Sequence, residues 1–242
     1  MTEKDGRGKG LEDKIKACYS TWAGTYFDEY FSPEAAYPPV HRDLVLRILE
    51  KHGVRSVLDA GCGPAVFLRE LIARNVDAYG FDLTPEMVSE ARRIMEKADA
   101  DPGKIWPGSV LDASAFQPPG DGPKNFDAAI CIGVLGHIPE EADVTVIENL
   151  RDSVRPGGLV AVEARNQFFS LFTMNRYSFD FIRNDLIRAD TLAKKPGGGA
   201  LKTAIETMQD YFRMDLPPLR TGKKDEPGYD EVLSRTHNPL LV

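Results

Sequence analysis

An α/β fold with a mostly parallel, doubly wound sheet is the fold class that the sequence predicts. Short apolar runs alternate with helical patterns between residues 54 and 164. The run Phe126–Ile132 is apolar except for Asp127 and shows no polar alternation, as expected of a parallel strand that is buried on both faces. Because strands that alternate with helices pair in parallel through right-handed crossovers, the pattern predicts one sheet with helices on both faces.

Five strands are expected in this core, which we place at residues 54–164. Thr84 and Pro85 supply an N-cap and a first-turn proline, so a helix is expected to begin directly after the second strand. Pro107 and Gly108 interrupt the third strand and make it the weakest. The strands are expected at Val54–Ala60, Val76–Phe81, Ile105–Val110, Phe126–Ile132 and Leu159–Ala164.

The segments on either side of the core differ from it in composition. Residues 1–10 are charged and rich in glycine, and we expect a disordered tail there and not a signal peptide. Residues 11–53 are expected to form an N-terminal helical lid, from an aromatic stretch over Leu11–Phe31 and a second helix over Val40–Lys51. Residues 165–242 lack a regular pattern and are expected to form an irregular helical cap over the substrate.

Charge and cysteine content narrow the classes of function. With 30 Lys and Arg against 37 Asp and Glu, the net charge is −7, which argues against a protein that mainly grips nucleic acid or an anionic membrane. No run approaches the roughly 18 apolar residues that a membrane span requires. Cys18, Cys62 and Cys131 are too few and too widely spaced for a metal cluster or a disulfide framework. We therefore expect free buried thiols, no metal and a cytoplasmic location.

The loops at the carboxyl ends of the first three strands carry groups that fit a nucleoside. Ligands of a doubly wound sheet bind beyond these strand ends. Gly61 and Gly63 follow the first strand, and two glycines one residue apart let the backbone turn tightly and approach a ligand. Asp82 is placed to accept hydrogen bonds from a ribose, and Asp112 to accept one from an adenine amino group. The alternatives are a tight turn without a ligand and, for Asp82, a charge that only flanks a helix.

The glycine turn favours an adenosine-type ligand without a phosphate. A pyrophosphate cofactor normally requires a third glycine, and Val66 stands at that position. Pro64 also lacks an N–H group that a phosphate would use. Both features disfavour NAD and FAD.

The motifs, taken in order, resemble those of the class I S-adenosylmethionine-dependent methyltransferases. Val57–Gly63 is similar to motif I of that family, Asp82–Met87 to its second acidic motif, and Leu111–Ala113 to its adenine motif. Phe126–Pro139 resembles the fourth strand and its loop, and Arg155–Gly158 the turn before the fifth strand. The resemblance extends from about residue 19 to residue 164. It implies a Rossmann-like fold, with S-adenosylmethionine as cofactor and S-adenosylhomocysteine as product.

The resemblance implies a role for each matched position. Asp59 and the Gly61–Gly63 backbone would surround the methionine part of the cofactor, and Asp82 would hold the ribose. Leu111 and Asp112 would meet the adenine. In the lid of such enzymes a tyrosine often reaches the carboxylate or sulfonium of the cofactor, and packing alone is the other role open to these tyrosines. The full set expected to bind the cofactor is Tyr19, Tyr26, Asp59, Ala60, Gly61, Cys62, Gly63, Asp82, Leu83, Met87, Leu111, Asp112, Ile132 and Gly133.

His137 is the candidate catalytic residue. Methyl transfer from a sulfonium is an in-line displacement, so the protein mainly aligns the nucleophile, excludes water and removes a proton where necessary. His137 follows the fourth strand and has an unperturbed pKa near neutrality, which suits a general base. The alternative is that it only braces its loop.

The C-terminal third leaves several alternatives open. Residues 165–177 mix aromatic side chains with two arginines and two asparagines, which suits either a pocket for a polar or anionic small molecule or a helical cap packed by its aromatics. The family sheet normally ends with two further strands, and no convincing pair follows Ala164, although residues 203–214 fit one strand or a helix. The chain is then truncated, or folds differently there, or is completed by a partner subunit such as a second copy.

The function expected from these observations is transfer of a methyl group from S-adenosylmethionine to an oxygen or nitrogen atom of a small metabolite. A protein substrate is one alternative. The other is a non-catalytic partner subunit that only holds the cofactor.

Overall fold

The computed structural model describes residues 3–26, 40–196, 198–214 and 232–239. These residues fall into two compact units. The first comprises Met1–Glu163 and Gly222–Ser234, and it contains the sheet. The second comprises Ala164–Thr221 and Arg235–Val242, and its described part is mainly helical.

The first unit is built on a five-stranded sheet in the order β3-β2-β1-β4-β5. Every neighbouring pair is parallel, which confirms the predicted α/β fold. The strand order reverses between β1 and β4, and ligands of such sheets bind at this point, outside the carboxyl ends of the strands. The strands are β1 Ser56–Ala60, β2 Asp77–Asp82, β3 Ile105–Pro107, β4 Phe126–Cys131 and β5 Val154–Val162.

Alternate residues of the central strand feed two apolar layers, one on each face of the sheet. Val57 of β1 belongs to one buried cluster, together with Leu49 and Phe67. Leu58 belongs to the other, together with Phe116. Because both faces are covered, β1 has no solvent-facing side, and its sequence accordingly lacks polar alternation.

Among its described residues, the first unit contains five α-helices. Helix α2 spans the residues that the sequence predicts, and α4 begins at Pro85, also as predicted. Thr84 precedes α4 in an extended conformation, but its side chain makes no capping hydrogen bond. The helices are α1 Glu3–Ser20, α2 Val40–Lys51, α3 Val66–Ile72, α4 Pro85–Lys97 and α5 Asp143–Ser153.

The N-terminal helix differs from the expectation at both ends. The composition of residues 1–10 predicts a disordered tail, whereas α1 begins at Glu3. Extending an existing helix adds one hydrogen bond for each residue that is fixed. The helix that forms after residue 10 can therefore extend towards the N-terminus, even through glycines. The helix ends at Ser20, followed by turns to residue 25, while the predicted helix runs to Phe31. Residues 27–31 lie outside the described part.

The third and fifth strands also depart from their predicted limits. β3 stops at Pro107, and the N–H of Gly108 still donates to the backbone oxygen of Asp82 in β2. β5 begins at Val154, before the expected start. Its register against β4 shifts between Phe126 and Ala128, because the turn Arg155–Gly158 is inserted within the strand.

The second unit packs short helices around a small apolar core. Buried Phe179, Ala189 and Ile205 form this core. Two isolated bridges, Asn166 to His237 and Asn175 to Arg213, connect its segments. Its helical segments are a 3₁₀-helix at Gln167–Phe172, α6 Arg176–Phe181, a π-helical turn at Ile182–Leu186, α7 Ala189–Leu192 and α8 Gly198–Gln209.

Two questions about the C-terminal third are answered for the described residues. Residues 203–209 are helical, which decides between the strand and the helix predicted for 203–214. Over residues 3–26, 40–196, 198–214 and 232–239 the sheet has five strands and not the seven usual in the family. Within these ranges no helix is long and apolar enough to cross a membrane.

Candidate functional site

The turn after β1 is fixed to the end of β2 by its own backbone. The N–H groups of Gly61 and Cys62 both donate to the carbonyl oxygen of Phe81 at 2.9 Å. The N–H of Gly63 donates to Asp82 Oδ2 at 2.8 Å. Gly61 has a φ of 83°, and a Cβ there would lie 2.4 Å from Cγ2 of Val134. The turn therefore needs glycine for conformational freedom and for close approach.

These bonds leave the turn unsuited to a phosphate. The N–H groups of residues 61, 62 and 63 are engaged within the protein. Pro64 has no N–H, and that of Ala65 donates to the carbonyl of Cys62 at 3.0 Å. A phosphate site at a helix N-terminus needs free backbone donors. The geometry thus supports the prediction of a nucleoside-type ligand without a pyrophosphate.

Asp82, at the end of β2, is held by two backbone N–H groups. Its Oδ1 accepts from the N–H of Thr84 at 2.9 Å, and its Oδ2 accepts from the N–H of Gly63 at 2.8 Å. Burial raises the pKa of Asp82, against the lowering effect of these backbone bonds. A carboxylate oxygen has two lone pairs, so each oxygen can accept a further hydrogen bond from a ligand hydroxyl.

Asp59 is a second buried carboxyl group, directly behind the turn. It is 2% exposed, and its Oδ2 has no hydrogen-bond partner among the described residues. Burial, followed by the charge of Asp82, raises the pKa of Asp59 to about 8. At neutral pH the group is therefore mostly protonated in the absence of a cation. A positively charged ligand nearby would favour its ionised form.

A cavity opens at the carboxyl ends of the strands. It is bounded by the turn after β1, the end of β2, the loops after β3 and β4, one face of α1, and Tyr26. Eleven of the fifteen predicted site residues line it: Tyr19, Tyr26, Gly61, Gly63, Asp82, Leu83, Met87, Leu111, Ile132, Gly133 and His137.

The other four predicted residues lie outside the cavity lining. Asp59 and Ala60 are buried behind the turn. The Cys62 side chain packs towards β2, where a Cβ at Gly80 would lie 2.9 Å from that of Cys62. Asp112 is exposed, and its Oδ1 accepts from the N–H of Ser114 at 2.9 Å, capping the 3₁₀-helix Ala113–Phe116.

Helix α1 supplies site residues that the sequence analysis missed. Leu11 and Ile15 line the cavity, and they lie on one helical face with Tyr19 because the three are spaced four residues apart. Glu12 lines it as well, and its Oε1 accepts a hydrogen bond from the hydroxyl of Ser109. The four-residue spacing was a usable signal for the apolar residues. Nothing in the sequence pairs Glu12 with Ser109.

Tyr19 and His137 form a hydrogen-bonded pair in the cavity wall. Tyr19 Oη lies 3.1 Å from His137 Nε2, and His137 Nδ1 lies 2.7 Å from the carbonyl oxygen of Leu233. Because a carbonyl only accepts, Nδ1 carries the proton, and in the neutral ring Nε2 accepts from the Tyr19 hydroxyl. His137 is 4% exposed. The ring is thus braced, and its Nε2 reaches the cavity through Tyr19.

In the second unit, the polar residues of 165–177 mainly serve local structure. Asn175 caps α6 in a capping box with Ser178. Asn166 Oδ1 accepts from the N–H of Phe168, and Arg176 lies 3.6 Å from Asp180 across one helical turn. Between the two alternatives for this segment, these contacts favour the packed helical cap.

The fold and the cavity together are those of an α/β protein with an open cleft at the carboxyl ends of its strands. Residues 58–160 match the family described as a methyltransferase domain. The ubiquinone biosynthesis O-methyltransferase of Xanthomonas campestris pv. campestris is 28% identical over 214 residues, which cover 86% of this chain and 84% of the relative. Glycine N-methyltransferase of Rattus norvegicus is 30% identical over 139 residues, which cover 53% of this chain and 46% of that protein.

Among solved structures, an S-adenosylmethionine-dependent methyltransferase from Clostridium acetobutylicum superposes with a TM-score of 0.50 at 15% identity. The superposition covers 65% of this chain and 62% of that chain, and it supports the fold alone. The methyltransferase-domain match over residues 58–160 and the curated relatives support an S-adenosylmethionine-dependent methyltransferase with S-adenosylmethionine as its cofactor.

Proposed function

We propose that the protein transfers the methyl group of S-adenosylmethionine to an oxygen or nitrogen atom of a small metabolite. The observation that carries this proposal is the Tyr19–His137 pair, which lines the same cavity as Gly61 and Asp82. A base beside a cofactor site is needed when the acceptor must lose a proton. The ubiquinone biosynthesis O-methyltransferase relative, which matches over most of both chains, adds support for an oxygen acceptor.

The residues at the strand ends fit the cofactor. Gly61 allows close main-chain approach, and Asp82 retains acceptor capacity for a ribose diol. Asp59 is a buried carboxyl group with an unpartnered oxygen, which suits a neighbouring positive charge. S-adenosylmethionine, when bound, supplies a methyl group that its sulfonium has already activated. The protein's own part is to orient the acceptor, exclude water and take up a proton.

The proton is taken up through Tyr19. Its oxygen has lone pairs that can accept the proton of an acceptor hydroxyl or ammonium, while its own proton passes to His137 Nε2. The imidazolium that forms is held by the bond from Nδ1 to the Leu233 carbonyl. In this proposal His137 is the base, as the sequence predicts, and Tyr19 is the relay that connects it with the substrate.

The experiment that tests the function uses the full chain and methyl-labelled S-adenosylmethionine with fractions of a metabolite extract. We expect formation of S-adenosylhomocysteine and one labelled small molecule, identified by mass spectrometry. Binding of S-adenosylhomocysteine without turnover of any fraction would instead favour the non-catalytic subunit. Label that appears only in protein would favour a protein methyltransferase.

The charge of the substrate and the oligomeric state stay predictions. A polar or anionic substrate was expected from residues 165–177, whose asparagines act as caps in the structure. β5 is an edge of the described sheet, so association with a second copy remains an expectation. Native mass spectrometry would test it.

A further inference from the structure

Helix α1 places a carboxyl group in the cavity beside the loop that follows β3. Glu12 is half-buried and lines the cavity together with Ser109 and Leu111. Its Oε1 accepts from the Ser109 hydroxyl, and the oxygen of that hydroxyl accepts from the N–H of Leu111 at 3.0 Å. The three residues form a continuous chain of hydrogen bonds from the lid helix to the loop, which directs the Glu12 carboxylate towards residues 109–111.

The loop after β3 begins beside Asp82, whose carboxylate would hold the ribose. The N–H of Gly108 donates to the backbone oxygen of Asp82 at 2.9 Å, and Pro107 pairs with Asp82 in the sheet. A nucleoside whose ribose is held by the Asp82 carboxylate would therefore extend its base along residues 109–111. These residues line the cavity together with Glu12, which accepts a hydrogen bond from Ser109.

Asp112, which the sequence predicts to accept a hydrogen bond from the adenine amino group, does not point into the cavity. Asp112 is exposed and does not line the cavity, and its carboxylate caps the helix at Ser114. The described cavity lining holds two carboxyl groups, those of Glu12 and Asp82. Because Asp82 serves the ribose in the proposed function, Glu12 is the carboxyl group available to the base.

We propose that Glu12 accepts the hydrogen bond of the adenine 6-amino group of the cofactor, and thus that the lid helix reads the base. The proposal rests on the proposed function, since it assumes that the nucleoside of the cofactor occupies this cavity. Ser109 is a positioning residue, because its hydroxyl holds Oε1 of Glu12 and leaves the group further acceptor capacity for the amine. Base recognition and docking of α1 then depend on the same side chain.

The test compares the binding of S-adenosylhomocysteine with that of S-inosylhomocysteine, which carries an oxygen in place of the 6-amino group. The parent protein is expected to prefer the adenosyl ligand by about tenfold or more, because a site that accepts from an amine leaves two acceptors facing each other when the amine is replaced. In Glu12→Gln the amide can donate to the oxo group, so the preference should fall to about threefold or less. Calorimetry measures both dissociation constants.

Matched variants separate base reading from general damage. Asp112→Asn makes the same chemical change at the residue that the motif indicated, and its preference should equal that of the parent. Ser109→Ala should weaken both ligands while keeping adenosyl ahead. Thermal unfolding of each variant checks the fold, and Glu12→Gln retains an oxygen that accepts from Ser109.

Three outcomes would overturn the inference. If Asp112→Asn abolishes the preference and Glu12→Gln keeps it, the base is read by Asp112. If neither variant changes the preference, the base lies elsewhere, although the proposed function stands as long as the parent turns over. If the parent binds neither ligand, both the inference and the proposed function are wrong.

Discussion

The two sides of the cavity are built by different means. The sheet side consists of a glycine turn and a carboxylate that hold each other through backbone bonds at 2.8–2.9 Å. The lid side consists of side chains on α1 that reach across to loops, Glu12 to Ser109 and Tyr19 to His137. Backbone bonds between neighbouring strand ends persist without a ligand, whereas single side-chain contacts between a helix and a loop open more easily. In the functions proposed above, the sheet side gives the site its shape, and the lid side recognises the base and takes up the proton.

The largest expected effect is on turnover, when Tyr19 or His137 on the lid side is replaced. Tyr19→Phe and His137→Gln should each lower kcat by about 10²-fold or more, because general-base catalysis contributes at least that much. The dissociation constant of S-adenosylhomocysteine should change by less than about threefold. Steady-state kinetics with the acceptor found by the labelling experiment, together with calorimetry, measure the two effects.

Two matched controls lie outside the cavity. His52 also bonds a carbonyl through Nδ1, at 2.8 Å from Ile48, so His52→Gln removes a similar ring with a similar bond. Tyr79→Phe removes a phenol that donates to Asp77 at 3.2 Å. Both should keep the parent kcat. Unchanged turnover in Tyr19→Phe would show that Tyr19 is not the relay, and unchanged turnover in His137→Gln would show that His137 only braces its loop.

The next largest effect is on stability and cofactor binding, when Gly61 on the sheet side is replaced. Gly61→Ala places a Cβ 2.4 Å from Val134 Cγ2 at a φ of 83°, so it combines overpacking with backbone strain. We expect the free energy of unfolding to fall by about 2–5 kcal/mol and cofactor binding to be lost. Urea unfolding and calorimetry measure this.

Gly53→Ala is the matched control for backbone strain alone. Gly53 has a φ of 62° and nothing within 4 Å of the ideal Cβ position. It should cost about 1 kcal/mol and leave binding unchanged. Equal losses in the two variants would mean that close packing against Val134 contributes nothing.

The same contrast explains how much could be predicted from the sequence. Gly61 and Asp82 follow strands whose apolar runs are visible, so their meeting at one sheet edge follows from parallel topology. Glu12 lies on a charged helix, and its partner is 97 residues away in a loop, so no periodicity connects them. Asp112 shows the converse error, because a carboxylate after a strand can equally cap the next helical turn.

The limits of the strands follow the same logic. β1 and β4 are central and mainly apolar, and their predicted limits hold to within two residues. The edge strand β5 takes up a four-residue turn, Arg155–Gly158, which the sequence places before the strand. An edge strand tolerates such an insertion because only one side of it is paired, and local composition does not reveal it.

The pH dependence of cofactor affinity tests the protonation state of Asp59, which lies behind the sheet side of the cavity. Its pKa of about 8 in the empty protein lies above the ordinary value of 3.8. Below pH 8, binding of a cationic ligand must therefore displace a proton, so the affinity for S-adenosylmethionine should rise with pH by up to about tenfold per unit and level off near pH 8. Calorimetry in buffers of different ionisation enthalpy should detect up to one proton released at pH 7. Asp59→Asn should show neither effect.

The raised pKa of Asp59 also makes the free energy of unfolding depend on pH when no ligand is bound. A carboxyl group with a raised pKa in the folded state stabilises the protein relative to its ionised form below the unfolded pKa, and this contribution is lost as the pH rises towards 8. The parent should therefore lose stability relative to Asp59→Asn between about pH 4 and pH 8. A constant difference over that range would mean that Asp59 is ionised in the empty protein.

The smallest expected effect concerns Asp112, which the motif assigns to the site and the structure places outside the cavity. Asp112→Ala removes the cap at Ser114 and should lower the midpoint of urea unfolding only slightly. Asp101→Ala is the matched control, because Asp101 caps the 3₁₀-helix Pro102–Lys104 by accepting from the N–H of Gly103 at 2.8 Å. Both variants should lose similar stability and bind S-adenosylhomocysteine like the parent. A tenfold weaker affinity in Asp112→Ala alone would place its carboxylate on the ligand, and the boundary drawn between the two sides of the cavity would then have to include the loop after β3.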